Sequence, residues 1–280
     1  MMNPPDRPPP PSDSVPNEPR PPSEGPTRSD RAQPGFPEDL VTDLVALAGL
    51  KVGSRVLEIG CGTGRLSLPL VRHGVHLLAL ELSPGAAAVA RRRLAAFPDA
   101  EVAVTAFERW RSTESFDAIV CTSTFATLNP ATRLDLCANR LRLPGAGRTG
   151  GALAVVETRP VSGQDEEILR ELRECFGRWA LSARCGPIPP PIDELPAAHP
   201  ELSAARRFSR HLRSRRYVWE HSVAAAEHLD HLRLSAGAAA PAGPVPPWLR
   251  ACFETIVAHR DTGKITQRYA TDLQVTTRAR

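Results

Sequence analysis

The sequence predicts an α/β fold in which a doubly wound, mostly parallel seven-stranded sheet carries helices on both faces, with an additional helical cover toward the C-terminal end. Three observations predict it. Between residues 55 and 158 short apolar runs alternate with helical patterns, the cadence of right-handed strand–helix–strand crossovers. Val56 to Gly64 reads VLEIGCGTG, with Gly60, Gly62 and Gly64 at alternate positions after an apolar run, so the backbone can turn sharply off a strand and lie close against a ligand. Glu81 then closes the next apolar run, seventeen residues past Gly64.

Taken in order, Pro37 to Leu50 places Leu40, Leu44, Leu47 and Leu50 at helical intervals. Arg55 to Gly60 is a short apolar strand. Gly64 to Gly74 follows as a helix closed by glycine, and Pro69 should kink it or make it begin late. Val75 to Leu82 is apolar throughout, as expected of a strand buried on both faces. Ser83 as N-cap and Pro84 at the first helical position start an Ala/Arg-rich helix that stops at Phe97 and Pro98. Strands are predicted at Ala100–Phe107, Phe116–Thr124 and Gly151–Thr158, with a helix at Ala131–Leu141. Beyond these, helices are predicted at Glu166–Trp179, Ser222–Leu234 and Pro247–His259, and late strands at Arg215–Glu220 and Ile265–Thr276.

The glycine spacing separates two cofactor classes. A dinucleotide fingerprint, GxGxxG, needs a third glycine where this chain has Arg65; here Gly64 arrives one residue early. An acid at Glu58, two residues before the first glycine, is more typical of a loop that approaches an amino acid and a nucleoside. Such a loop cradles no pyrophosphate. Both features favour S-adenosylmethionine (SAM) over a nicotinamide or flavin. Glu81 is then placed to hold ribose hydroxyls, while Cys61 lies inside the glycine loop and Cys121 near the fourth strand's end, each with a bland reading as a small core or loop residue.

Composition bounds the rest. Residues 1–34 hold twelve prolines and almost no aliphatics, which predicts a disordered leader without a secretory apolar stretch. Residues 35–160 are the expected cofactor-binding core, and 161–280 the substrate cover and closing strands of the same domain. No run approaches the roughly 18 apolar residues of a membrane span, so a soluble cytoplasmic protein is expected, with no membrane partner. The net charge is +4, but of 35 basic residues only Lys51 and Lys264 are lysines, a bias that points to GC-rich codons. The basic block Arg206–Arg216 contains one aromatic residue, Phe208, and is read as a solvated surface, so nucleic acid is not an expected partner. Six cysteines show no CxxC pair and no histidine at zinc spacing; no metal site is predicted.

VLEIGCGTG, Glu81, AFERW at Ala106–Trp110 and FDAIV at Phe116–Val120 resemble, in order and spacing, the class I SAM-dependent methyltransferases. A weaker similarity, through Gln33–Val41 and the segments YVWEHSVAAAEHLDHLRLSAG and GKITQRYATDLQVTTRAR, extends to a subgroup of bacterial small-molecule methyltransferases. The resemblance implies a Rossmann-like methyltransferase fold with SAM as cofactor. It further implies that the backbone at Gly60, Gly62 and Gly64 faces the methionine part, that Glu81 bonds both ribose hydroxyls, that Leu82 and Phe107 flank adenine with a backbone amide near Glu108 reading its edge, and that Phe36 packs over the cofactor. Each also reads as an ordinary packing or strand-end residue.

The resemblance breaks at Thr124–Pro130, TFATLNP, where Ala126 and Thr127 stand in place of the subgroup's His and Trp, and again at Leu143–Gly151, where the turn is longer. Methyl transfer from a sulfonium needs alignment and desolvation first, and a base only if the acceptor must lose a proton. The catalytic residue is therefore left unassigned; Glu108, Glu157, His211 and His221 are the candidate bases, and Thr122 and Thr124 candidate hydrogen-bonding groups. Two functions follow: methylation of a small organic acceptor in secondary metabolism, or a SAM-binding regulatory subunit that does not methylate. An RNA or protein acceptor is a third reading. Neither the acceptor atom nor the oligomeric state is legible.

Overall fold

The computed structural model describes residues 35–145, 147–163, 166–178, 189–209, 211–224, 227, 250–255 and 264–280. The predicted leader, Cys185, His228 and His231 lie outside the described residues. Helix α1 spans Leu40–Ala48, β1 Arg55–Ile59, α2 Ser67–Arg72, β2 His76–Glu81, α3 Pro84–Leu94, β3 Ala100–Val104, β4 Ala118–Thr122, α4 Arg133–Arg140 and β5 Ala152–Val161. Helices α5 (Glu166–Arg178) and α6 (Pro200–Ala204) follow, then strands β6 (Arg213–Ala224) and β7 (Lys264–Thr277).

These strands form one seven-stranded sheet in the order β3-β2-β1-β4-β5-β7-β6. The first five are parallel, and β7 inserts antiparallel between β5 and β6. Alternation along each strand sends residues to two cores. Val56, Ala154, Val156 and Leu273 meet Leu40 and Leu44 of α1, Leu70 of α2 and Ala90 of α3 on one face. On the other face, Leu57, Ile59, Leu153 and Val155 meet Cys137 and Ala138 of α4 and Leu202 of α6. Helices thus cover both faces, as the alternating pattern predicts.

Local chemistry explains the boundaries. Ser83 Oγ accepts from Ala86 N and Pro84 opens α3, as its sequence predicts. Pro69 falls in the first turn of α2, where its missing N–H costs no intrahelical bond, so the helix begins late. The third strand ends at Val104 and the fourth runs Ala118–Thr122, both shorter than predicted, because the chain turns at Thr105 and Ser123. One prediction fails where it can be checked: Ser222–Ala224 is the end of β6 and not the start of a helix, since each of these residues pairs with β7, from Thr266 to Lys264. Residues 250–255 are helical, within the predicted Pro247–His259 segment.

Candidate functional site

The glycine loop leaves β1 at the C-terminal edge of the sheet. Gly60, Gly62 and Gly64 have φ of 73°, 57° and 80°, the left-handed region where a side chain is strained. A Cβ at Gly60 would run into Thr124 Oγ1, and one at Gly64 would press on Ala90 of α3 at 3.2 Å. At Gly62 the position a Cβ would take is open, with nothing within 4 Å. Two glycines therefore pack the loop tightly onto its neighbours, while the middle one faces free space.

Glu81 binds the loop itself. Its Oε2 accepts from Gly62 N and its Oε1 from Ser83 N, both at 2.8 Å, so one carboxylate joins the β1 loop to the start of α3. Each oxygen keeps a further acceptor site for an incoming hydroxyl. Arg93 of α3 closes the same loop from the other side, donating from Nη1 to Thr63 O at 3.0 Å, and Arg91 grips Val102 O. Of the Ala/Arg-rich helix α3, Arg93 thus holds the glycine loop, while Arg91 ties the helix to β3.

Glu58 sits lower on β1, wholly buried, where Ser67 Oγ donates to its Oε2 at 2.6 Å. Burial pushes its carboxyl up to about 7, partly offset by the Ser67 bond. It contacts the start of α2 and not the open space over Gly62. Cys61 and Cys121 are buried thiols that burial raises, with the Cys137 hydrogen bond the larger cause at Cys121. Leu82 is exposed, whereas Phe107 is buried in the second core. Phe36 packs on the first core with the Arg65 guanidinium 5.6 Å above its ring.

The segment that departs from the resembling subgroup is tied to itself. Ser123 has φ of 56°, unusual for a residue with a side chain, and its N–H bonds Val156 O. Thr124 Oγ1 donates to Thr122 O, and Thr127 Oγ1 to Thr124 O at 2.7 Å. Arg133, buried beneath, donates to Phe125 O at 2.6 Å and pairs with Glu201 through two bonds. Glu108 reaches this segment, its Oε1 accepting from Asn129 N at 3.4 Å. Thr122 Oγ1 is buried with no hydrogen-bond partner.

The remaining candidate bases part company. Glu157 lies near Arg159, 3.6 Å away, and that arginine pairs more closely with Asp272 at 2.6 Å. His211 is exposed. His221 points to the face of β6 that carries Tyr217, and its Nε2 is buried and unpartnered. Trp219 and Tyr269, stacked at 5.2 Å beside it, lie in the two late segments that carry the weaker resemblance, which assigns neither a site role. Several arginines of the basic block are spent on acids: Arg207 with Asp135, Arg215 with Asp43, Arg216 with Asp272. Among the described residues no cluster of His, Cys, Asp and Glu could hold a metal ion, and no helix is long and apolar enough to cross a membrane.

Residues 56–144 match the family model described as a methyltransferase domain. A ubiquinone biosynthesis O-methyltransferase of Xylella fastidiosa is 37% identical over 97 residues, covering 33% of this chain and 39% of that protein. An uncharacterized methyltransferase of Mycobacterium tuberculosis is 33% identical over 152 residues, covering 53% of this chain and 56% of that one. The chain thus spans about half or less of the length of these curated relatives. Among solved structures, a proposed methyltransferase of Bacillus halodurans C-125 superposes with a TM-score of 0.53 at 14% identity, covering 86% of this chain and 99% of that one. The YcgJ protein of Bacillus subtilis gives 0.51 at 13% identity, over 87% of this chain and 100% of that one; at such identities the likeness is one of fold. The glycine loop and Glu81 lie within the matched residues 56–144, and the strand order is a mostly parallel seven-stranded sheet, so the sequence match to a methyltransferase domain and the likeness of fold fall on the same part of the chain.

Proposed function

We propose that the protein binds SAM across the C-terminal edge of β1, β2 and β4 and transfers its methyl group to a small organic acceptor, as an enzyme of secondary metabolism working in the cytoplasm. The observation that carries this reading is the joint between Glu81 and the glycine loop. Gly62 leaves open space above it, and the Glu81 carboxylate, fixed by two N–H groups, has acceptor sites left for two ribose hydroxyls. Leu82 and Phe107 would border adenine, with a backbone amide near Glu108 reading its edge; Phe36 would cover the methionine side. Glu58, Cys61 and Cys121 would support the loop from below. Bound SAM would supply an electrophilic methyl on a sulfonium.

The chain's own part is alignment and exclusion of water. Arg93 holds Thr63, Glu81 holds Gly62 and Ser83, and Thr124 closes on Gly60, so the loop is ordered before any ligand arrives. Holding an acceptor in line with the methyl supplies most of the rate advantage such a site needs. Residues beyond 160 would cover the acceptor. With Arg207, Arg215 and Arg216 paired to acids, the basic block offers nucleic acid less free charge than its sequence suggests.

Calorimetric titration with SAM and with S-adenosylhomocysteine tests the binding, and no heat at high micromolar ligand sinks it. Labelled SAM incubated with extracts of the source organism then tests the transfer, with a labelled small product expected. Label in RNA or protein would replace the small-acceptor reading. Tight binding without turnover would favour a regulatory SAM-binding subunit, a reading supported by Ala126 and by a Thr127 hydroxyl already spent on Thr124 O.

A further inference from the structure

Trp219 and His221 alternate on β6 and therefore share a face, the one on which Tyr217 bonds Asp43 of α1. Tyr269 lies opposite Trp219 in the β6–β7 register and stacks under it, ring centroids 5.2 Å apart and planes 27° from parallel. Tyr269 is buried while Trp219 stays half-exposed, so Tyr269 is the floor and Trp219 the surface. The indole edge is fixed as well. Trp219 Nε1 donates to Thr271 Oγ1 at 2.9 Å, and Thr271 shares a hydrogen bond with Thr158 of β5 at 3.0 Å.

His221 lies 6.3 Å from Trp219, centroid to centroid. Its Nε2 is shielded from water and lacks a hydrogen-bond partner, a costly state for a polar atom unless something else satisfies it. Burial and the charge of Arg65 hold the imidazole below its ordinary pKa, against an opposing pull from Glu227, which keeps the ring neutral at pH 7. Arg65 directly follows Gly64 and lies over Phe36, so this patch adjoins the proposed cofactor loop.

A rigid aromatic face beside a neutral, unsatisfied ring nitrogen selects its ligand by chemistry. An aromatic ring gains by stacking on Trp219, and a hydroxyl on that ring satisfies Nε2 as donor or acceptor. A cationic amine would meet the charge of Arg65. We infer that Trp219 and His221 form the acceptor subsite, and that the acceptor is a hydroxylated aromatic compound held by ring stacking on Trp219 and a hydrogen bond to His221 Nε2. The pair stands on β6, which β5 and β7 separate from β4 and the Ala126 and Thr127 positions that follow it. The inference rests on the proposed methyl transfer for the word acceptor, but the subsite can be tested without it.

Catechol titrated into the full chain, followed by ligand-observed NMR with and without saturating S-adenosylhomocysteine, reads the subsite directly. Saturable binding is expected, weakened about tenfold or more in Trp219→Leu and in His221→Ala and largely kept in Trp219→Phe and His221→Gln. Cyclohexanol should bind far more weakly. Catechol binding that is unchanged in the first two variants, lost equally in all four, or matched by cyclohexanol overturns the subsite. Glu81→Ala should leave catechol binding intact, which supports a site separate from the cofactor's. Failure of S-adenosylhomocysteine to bind, with the catechol pattern as expected, overturns the transfer reading and supports the aromatic-hydroxyl subsite.

Discussion

At the scale of single residues, three side-chain positions make distinct commitments. Glu81→Ala removes the acceptor that holds Gly62 and Ser83 and would hold ribose; SAM binding should weaken by about 1 to 3 kcal/mol, measured by calorimetry. Gly60→Ala meets two penalties, a left-handed φ and the hydroxyl of Thr124, and should lower stability by about 2 kcal/mol or more in denaturant unfolding. Adding Thr124→Ala should return only the steric part, because the backbone angle remains. Glu58 carries the pH dependence. Its folded carboxyl titrates near 7 against an ordinary 4.5, so the protonated form is favoured by folding. Stability on this account is full below about pH 4.5 and declines by about 3 kcal/mol as pH rises through 7. Glu58→Gln should flatten that slope in melts taken from pH 4.5 to 8.

Among elements, α3 shows how a surface helix can serve a site. Its sequence gives a capped, Ala/Arg-rich helix, and Ser83 and Pro84 do start it as their chemistry requires. What the pattern hides is that Arg93 reaches back to Thr63 inside the glycine loop. Arg93→Met keeps the apolar stem and loses the donor, so the loop amides should exchange faster with deuterium and SAM affinity should fall several-fold, with little change in the melting temperature. The glycine loop itself was legible, since alternate glycines after a strand have few other uses. Strand β6 was legible only in its middle, because Ser222–Ala224 looks helical alone and is held extended by pairing with β7.

Across the molecule, β7 decides whether the sheet is one body. It pairs with β5 from Arg268 to Thr277 and with β6 from Lys264 to Val275, and Ala270 through Thr276 are buried. A chain ending before Lys264 would expose that face of β5 and strand β6, and should lose its cooperative thermal transition in circular dichroism. The same insertion joins β6 to the parallel core, and so brings Trp219 and His221 to the edge of the sheet where the glycine loop lies.

By itself the sequence determined the alternating strand–helix order, the loop of Gly60, Gly62 and Gly64, and the acid at Glu81, because each is set by neighbours within a few residues or one strand spacing. Only the tertiary structure decided which distant groups meet. The bond between Glu81 and Gly62, the reach of Arg93 to Thr63 and the stack of Trp219 on Tyr269 depend on strand order and register. Those contacts join residues far apart in the chain, and periodicity along the chain carries no record of them.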